Sequence, residues 1–162
     1  KLECFGEPNG GTSMHTSIYK ARPDVQCILH YHADEVVAIS VASEGIKVVA
    51  NCGVPFYRGT PIYDSPLLIR NPALGDKVAA TLGDKNAVLL RGHGGTVVAH
   101  DLDTLLRLGI DLVRTARIQI MTASLGPVKT HTPEECQQMS KGHDLPNANR
   151  RYIDYYVSEV VD

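Results

Sequence analysis

Residues 27–35 read CILHYHADE, a short apolar run that ends in two histidines, His30 and His32, on either side of a tyrosine. The preceding RPD favours a turn, because Pro23 cannot sit inside a paired strand, so we predict a buried strand over 25–32. Histidines two positions apart on a strand share one face and could bind one ion. The alternative is an ordinary strand end whose imidazoles bond to nearby carbonyl groups, since His-x-His alone is a weak motif.

The segments on both sides predict further helices and strands in alternation. Asp34 and Glu35 suit the N-terminal end of a helix, and Thr132 with Glu135 forms a capping box. Together these elements predict a mixed α/β domain whose helices cover a sheet. The predicted elements are helices over 34–43, 72–82, 101–124 and 150–161, a helix that begins at 133, and strands within 45–53 and 86–95.

The composition of the 162-residue chain suits one domain and sets limits on its partners. The net charge is -2 and the chain has no run of like charge, so the sequence shows no basic patch for binding nucleic acid or an anionic membrane. No apolar stretch approaches the ~20 residues that a membrane span requires. No signal peptide is visible, so we expect a cytoplasmic protein with a small-molecule partner. The chain opens at Lys1 within ordinary globular sequence, from which we expect an N-terminal truncation. The four cysteines contain no C-x-x-C pair and are expected to be reduced thiols.

A third histidine, His93, follows another apolar strand within LLRGHGGTVV. The glycines beside it let the backbone turn tightly and leave space for a ligand. Three histidines at the ends of predicted strands, His30, His32 and His93, could form one face of a coordination shell with positions open for substrate, as in catalytic metal sites. Imidazole ligands suit Zn²⁺, Mn²⁺ or Fe²⁺ and do not choose among them.

Two longer segments, MHTSIYKARPDVQCILHYH at 14–32 and LLRGHGGTVVAHDLDTLL at 89–106, resemble the class II aldolase/adducin superfamily. The first is similar to its strand-turn-strand signature, and the second to the segment that carries its third metal-binding histidine. The likeness runs from about Glu7 to Leu125. It implies a single domain over 1–162, a three-layer αβα sandwich with a central, largely antiparallel mixed sheet, one divalent ion (Zn²⁺ or Mn²⁺) on the three histidines, and an oligomer, usually a tetramer. Members typically have an N-terminal portion that this chain lacks.

One departure from the superfamily bears on the reaction. Its aldolases carry an acid/base glutamate four residues before the position of His15, where this chain has Gly11. The RGHG motif also resembles the metal-dependent decarboxylases of hydroxylated aromatic or pyridine dicarboxylates, rather than the NHG of the sugar-phosphate aldolases. We therefore expect a decarboxylase acting on a small carboxylate. Glu7, a missing N-terminal segment or a neighbouring subunit could still supply the acid/base group.

Two further residues are candidates for the chemistry. Arg91 could bind a substrate carboxylate in bidentate fashion, or could form a structural salt bridge. His15 could protonate the carbanion left by CO₂, or could be a packing residue. A class II aldolase or sugar-phosphate epimerase and a non-catalytic, adducin-like interaction module remain alternatives. The histidine triad argues against the module, and Gly11 argues against the aldolase.

Overall fold

A four-stranded mixed sheet forms the middle layer of the computed structural model, which describes residues 11–42, 44–141 and 147–160. The strand order is β1-β4-β3-β2, with β4 antiparallel to both of its neighbours and β2 parallel to β3. A tight turn that contains His93 joins β3 to β4. The strands are β1 (Cys27–Tyr31), β2 (Ile62–Tyr63), β3 (Ala87–Leu90) and β4 (Gly94–Ala99).

Helices cover both faces of this sheet. Helices α1 and α3 pack together on one face, and α2 and α4 pack together on the other. Two short 3₁₀ helices, Asn51–Phe56 and Ala123–Leu125, lie in the connections. The α-helices of the described ranges are α1 (Thr12–Ala21), α2 (Asp34–Ser40), α3 (Pro72–Leu82), α4 (Leu102–Thr122), α5 (Pro133–Ser140) and α6 (Ala148–Ser158).

The alternation of side chains along β3 builds two apolar layers. Val88 and Leu90 pack on the α1/α3 side, whereas Ala87 and Leu89 pack on the α2/α4 side. All four are buried, which explains why this strand is apolar throughout instead of alternating with polar residues. The expected three-layer αβα sandwich with a largely antiparallel mixed sheet is confirmed.

The strand predicted within 45–53 is wrong. Residues 46–49 form neither helix nor strand, and the chain then enters the 3₁₀ helix Asn51–Phe56. Val48 and Val54 are nevertheless buried, because they pack against Cys136 of α5. The apolar residues of this segment therefore fill a space between helices and have no neighbouring strand to pair with in the described structure.

The strand-turn-strand reading of 14–32 is wrong in its first half, and β4 was not predicted as a separate strand. His15 lies on helix α1, whose Met14 and Ile18 are four residues apart and buried against α3. Gly75 allows this close packing, since a Cβ there would lie 2.5 Å from the carbonyl oxygen of Ser13. By contrast, the helix over 72–82 and the capping box of Thr132 and Glu135 are confirmed.

Helix α6 is attached to α4 through a buried carboxylate. Asp111 on α4 is 2% exposed, and the hydroxyl of Tyr152 on α6 donates a hydrogen bond of 2.8 Å to its Oδ1. The guanidinium of Arg107 lies 3.4 Å from Oδ2. Burial raises the pKa of Asp111, and the bond from Tyr152 offsets part of that rise because it favours the charged form.

No helix within the described residues is long and apolar enough to cross a lipid bilayer.

The contact between Tyr152 and Asp111 leads to a prediction about stability. Tyr152→Phe removes a donor to a buried carboxylate and should lower the free energy of unfolding by about 1–3 kcal/mol. Urea denaturation followed by circular dichroism measures this change. Tyr155→Phe is the matched control, because the Tyr155 side chain on the same helix is 59% exposed. Equal effects of the two substitutions would contradict a special role for the buried bond.

Candidate metal-binding and active site

Three histidines meet at one end of the sheet. His30 lies near the end of β1, His32 directly after it, and His93 in the turn between β3 and β4. One ring nitrogen from each residue lies within 4.8 Å of the others. The Nε2 atoms of His30 and His32 are 3.0 Å apart. The structure therefore brings together the three side chains that the sequence predicts as metal ligands.

The pairing of β1 with β4 sets the distance between these histidines. Tyr31 lies opposite Gly95 in the ladder, and Gly94 comes so close to β1 that a Cβ there would lie 2.3 Å from the carbonyl oxygen of Tyr31. That Cβ would also lie 3.0 Å from Cδ2 of His32. A residue larger than glycine at 94 would push the turn that carries His93 away from His32.

The His30 ring is held by its other nitrogen. Nδ1 of His30 lies 3.0 Å from the carbonyl oxygen of Gly95 and 3.1 Å from Oγ1 of Thr96. The carbonyl can only accept, so Nδ1 carries the hydrogen, and in the neutral ring Nε2 has the free lone pair. The buried hydroxyl of Thr96 donates to Sδ of Met14 on α1. A bond of this kind commonly orients a metal-binding histidine.

Burial favours the uncharged form of two of these imidazoles, those of His30 and His93, because it lowers the pKa of each. It lowers the pKa of His30 to about 4, and the neighbouring histidines add a smaller lowering effect. Burial also lowers the pKa of His93, and His32 contributes to that shift. Neutral imidazole is the form that binds a metal ion.

The donor set fits a divalent metal ion. Two nitrogens that each bind one Zn²⁺ at about 2.0–2.1 Å lie about 2.9–3.4 Å apart for right or tetrahedral angles. The 3.0 Å separation of the Nε2 atoms of His30 and His32 falls within that interval. Three nitrogen donors also leave coordination positions for water or substrate, as in catalytic zinc sites.

A cavity of about 470 Å³ opens beside the histidines, a volume within the ordinary range for small-molecule sites. His15 of α1 lines it together with the triad, and burial lowers the pKa of His15. Gly11 lies at its edge and supplies no acid/base group, while Glu7 lies outside the described residues. The other described lining residues are Thr12, Met14, Leu68, Ile69, Arg70 and Leu90.

The two arginines near the histidines occupy different surroundings. The structure does not place Arg91 among the residues that line the cavity, and its Nε lies 2.5 Å from Oδ1 of Asp64. Arg70, which the sequence analysis missed, does line the cavity. It belongs to the loop between β2 and α3 and to no recognisable motif. Its only local signal is an isolated basic residue after the apolar run LLI.

Comparison with known proteins gives one family and several relatives. The model of the Class II Aldolase and Adducin N-terminal domain family matches residues 2–120. The chain is similar to a 3,4-dihydroxyphthalate decarboxylase of Arthrobacter keyseri, with 31% identity over 140 residues that cover 80% of this chain and 56% of the relative. It is also similar to Adducin-related protein 1 of Caenorhabditis elegans, with 33% identity over 91% of this chain and 20% of the relative. The chain thus spans about half the length of the decarboxylase that it matches.

Solved structures show the same fold. An aldolase II superfamily protein from Pseudomonas syringae superposes with a TM-score of 0.81 at 21% identity, covering 95% of this chain and 63% of the other. An L-fuculose 1-phosphate aldolase gives a TM-score of 0.81 at 19% identity, with 89% of this chain and 68% of the other covered. Identities this low carry the fold and not the activity.

The convergence of the three imidazoles predicts metal binding that depends on each of them. His93→Ala should lower the affinity for Zn²⁺ by more than about 100-fold, beyond the loss expected when only an outer partner of a ligand is removed. Calorimetric titration and metal analysis after dialysis measure this. His100→Ala, a change at an exposed histidine at the far end of β4, is the control and should retain the metal. Retention of Zn²⁺ by His93→Ala would contradict the site.

Proposed function

The chain belongs to the Class II Aldolase and Adducin N-terminal domain family, and from that membership we propose that it is a metal-dependent carbon–carbon lyase that decarboxylates a hydroxylated aromatic or heteroaromatic carboxylate. One observation carries the proposal: among the described residues that line the cavity, four are histidines and none is a carboxylate. Imidazoles are therefore the groups available there for proton transfer near neutral pH. The similarity to 3,4-dihydroxyphthalate decarboxylases supports the same reaction class.

In this proposal His30, His32 and His93 hold one divalent ion, with Zn²⁺ or Mn²⁺ as the candidates. The bound ion would supply Lewis-acid stabilisation of the negative charge that develops on the substrate when CO₂ leaves. The chain's own part is to hold the three rings in register, through the β1–β4 ladder and the Nδ1 bond of His30. Met14, Ile69 and Leu90 form an apolar part of the cavity wall, which would limit the access of water to the reacting carbon.

His15 is the proposed proton carrier. Because burial lowers its pKa, its ring is mostly neutral at neutral pH and first accepts a proton, for which the substrate hydroxyl is a suitable source. The carbon–carbon bond then breaks, its electron pair stays on the ring carbon, and CO₂ leaves. Nε2 or Nδ1 of His15 returns the proton to that carbon, which closes the balance of atoms and charge.

Two other functions are kept as outcomes of the test. An aldolase or epimerase that acts on a sugar phosphate would use the same ion, and the fold is shared with L-fuculose 1-phosphate aldolases. It would need an acid/base group in place of Gly11, such as Glu7 or a residue from another segment or subunit. An adducin-like interaction module has the 33% identical relative in its favour, but three convergent imidazoles have no purpose in such a module.

We also propose that the protein is a cytoplasmic homo-oligomer, with a tetramer as the expected assembly. Helix α6 supports self-association, because Ile153 is buried while apolar side chains beside it remain exposed. Val157 is 51% exposed and Tyr155 is 59% exposed. Exposed apolar side chains grouped on one helix are typical of a contact between subunits.

The exposed face of α6 predicts self-association at micromolar concentration. Analytical ultracentrifugation of the metal-loaded protein should give a mass above that of one chain, and Val157→Lys should shift the distribution towards monomer. A monomeric wild-type protein with its metal retained would contradict this proposal.

The assignment of His15 predicts a change in turnover with little change in binding. His15→Ala should lower kcat for CO₂ release by about 10²- to 10⁴-fold, the usual contribution of a positioned acid/base group, and should leave KM nearly unchanged. The assay measures CO₂ from 3,4-dihydroxyphthalate with metal content checked in parallel. His131→Ala, a change at a histidine outside the cavity lining, serves as the control.

The same preparation should be assayed with L-fuculose 1-phosphate. The aldolase would be favoured if the protein cleaves that sugar phosphate and releases no CO₂ from the aromatic acid, and if Glu7→Gln abolishes the cleavage. Absence of both activities in protein that retains its metal would favour the interaction module.

A further inference from the structure

We propose that Arg70 binds the substrate carboxylate, and that the loop carrying it, residues 64–71, recognises an aromatic ring. This inference rests on the proposed function, because it assigns the specificity of the same cavity. It transfers to Arg70 the role that the sequence analysis gave to Arg91.

The backbone on both sides of Arg70 is fixed while its side chain faces solvent. The backbone N–H of Arg70 donates to the carbonyl oxygen of Leu68 at 3.0 Å. The next residue, Asn71, caps α3 by accepting a hydrogen bond of 3.0 Å from the backbone N–H of Leu74. The preceding residue, Ile69, is 6% exposed and belongs to the α1/α3 core. The backbone of the loop is therefore ordered before a ligand binds, and only the Arg70 side chain has conformational freedom to lose.

The charge of Arg70 is not neutralised by the described protein around it. Most described arginines have an acidic partner, and Arg91 is one of them, paired with Asp64. Arg70 forms no ion pair with any carboxylate of the described residues, and the described cavity lining contains no carboxylate. A planar guanidinium without such a partner, at the edge of a small-molecule cavity, suits bidentate binding of a substrate carboxylate. Further described pairs join Arg22, Arg58 and Arg117 to Asp24, Asp84 and Glu35.

The apolar part of the lining indicates what the rest of the substrate is. Leu68 lines the cavity and is 50% exposed, so it presents apolar surface that a bound ring would cover. Met14, Ile69 and Leu90 add buried apolar surface. These side chains offer no strong hydrogen-bonding group to the hydroxyls of a sugar chain, whereas they suit the faces and edges of an aromatic ring.

The three parts of the cavity together define a substrate class. The histidines would bind vicinal oxygens through the metal, the apolar wall would contact the ring, and Arg70 would bind a carboxylate on that ring. A volume of about 470 Å³ accommodates a single ring with these substituents.

Two related probes separate carboxylate recognition from chelation. Catechol and 3,4-dihydroxybenzoate share the ring and both hydroxyls, and only the second has a carboxylate. Binding of each to the Zn²⁺-loaded protein is measured by titration calorimetry. Arg70→Ala should weaken 3,4-dihydroxybenzoate by about 10- to 100-fold, the loss of a charge-assisted hydrogen-bonded pair, and should leave catechol within about 2-fold. Arg70→Lys, which keeps the charge and loses the bidentate geometry, should give an intermediate loss.

Three further variants complete the experiment. Arg58→Ala removes an exposed arginine that is paired with Asp84 outside the cavity, and it should leave both probes unchanged. Leu68→Ser should weaken both probes by the same factor, because it removes ring contact alone. Arg91→Ala tests the role predicted from the sequence, and it should not reproduce the selective loss. Metal content is measured for every variant, so that a change in probe binding is not a change in zinc occupancy.

Several results would overturn the inference. Arg70→Ala could weaken the binding of both probes equally, or weaken the binding of neither. Arg91→Ala could instead cause the selective loss of 3,4-dihydroxybenzoate binding. Finally, neither probe could bind to the Zn²⁺-loaded wild-type protein. The reaction is tested separately by CO₂ release from 3,4-dihydroxyphthalate. Selective loss of 3,4-dihydroxybenzoate without CO₂ release would support the inference and reject the decarboxylase, and CO₂ release with unchanged probe binding would do the reverse.

Discussion

The antiparallel pairing of β1 with β4 is the contact on which the fold and the site both depend. It attaches the edge strand β1 to the central strand β4 of the described sheet, and it continues to the point where Gly94 comes close to the backbone of Tyr31. Because the turn that carries His93 ends where β4 begins, the same ladder fixes His93 beside His30 and His32. The absence of a side chain at Gly94 is therefore a structural requirement with a direct chemical consequence.

Successive side chains of a strand point to opposite faces of the sheet, and this alternation decides which helices border the site. His30, Ile28 and Thr96 lie on the face covered by α1 and α3, so the cavity forms there and His15 of α1 can line it. The opposite face packs against α2 and α4 and contributes stability. Its outer helix α4 also receives α6 through the bond from Tyr152 to the buried carboxylate of Asp111. One face of the sheet thus borders the proposed site, and the other face carries α4, to which α6 is attached.

The distribution of charge gives the cavity its character. Most acidic groups of the described chain pair with basic groups on the surface, and none of them lines the cavity. Burial keeps His15, His30 and His93 neutral near neutral pH, which leaves Arg70 as the permanent charge among the described lining residues. A cation in a cavity whose described lining has no carboxylate favours the entry of an anionic, chelating molecule.

The sequence by itself determined the features that have a local physical cause. Helical periodicity and capping residues predicted α3, α4 and α5, and apolar runs predicted β1 and β3. The spacing of His30 and His32, together with the glycines around His93, identified the three histidines that the fold brings together. Only the tertiary structure decided the features that depend on distant partners. Val48 and Val54 of the apolar segment at 45–53 pack against Cys136, and within the described residues no strand pairs with this segment. His15 lies on a helix whose Met14 and Ile18 pack against α3. Arg91 pairs with Asp64, whereas Arg70 lines the cavity. This difference depends on the paths of loops that pack against residues far away in the chain. Such long-range contacts leave no periodic signal in the sequence.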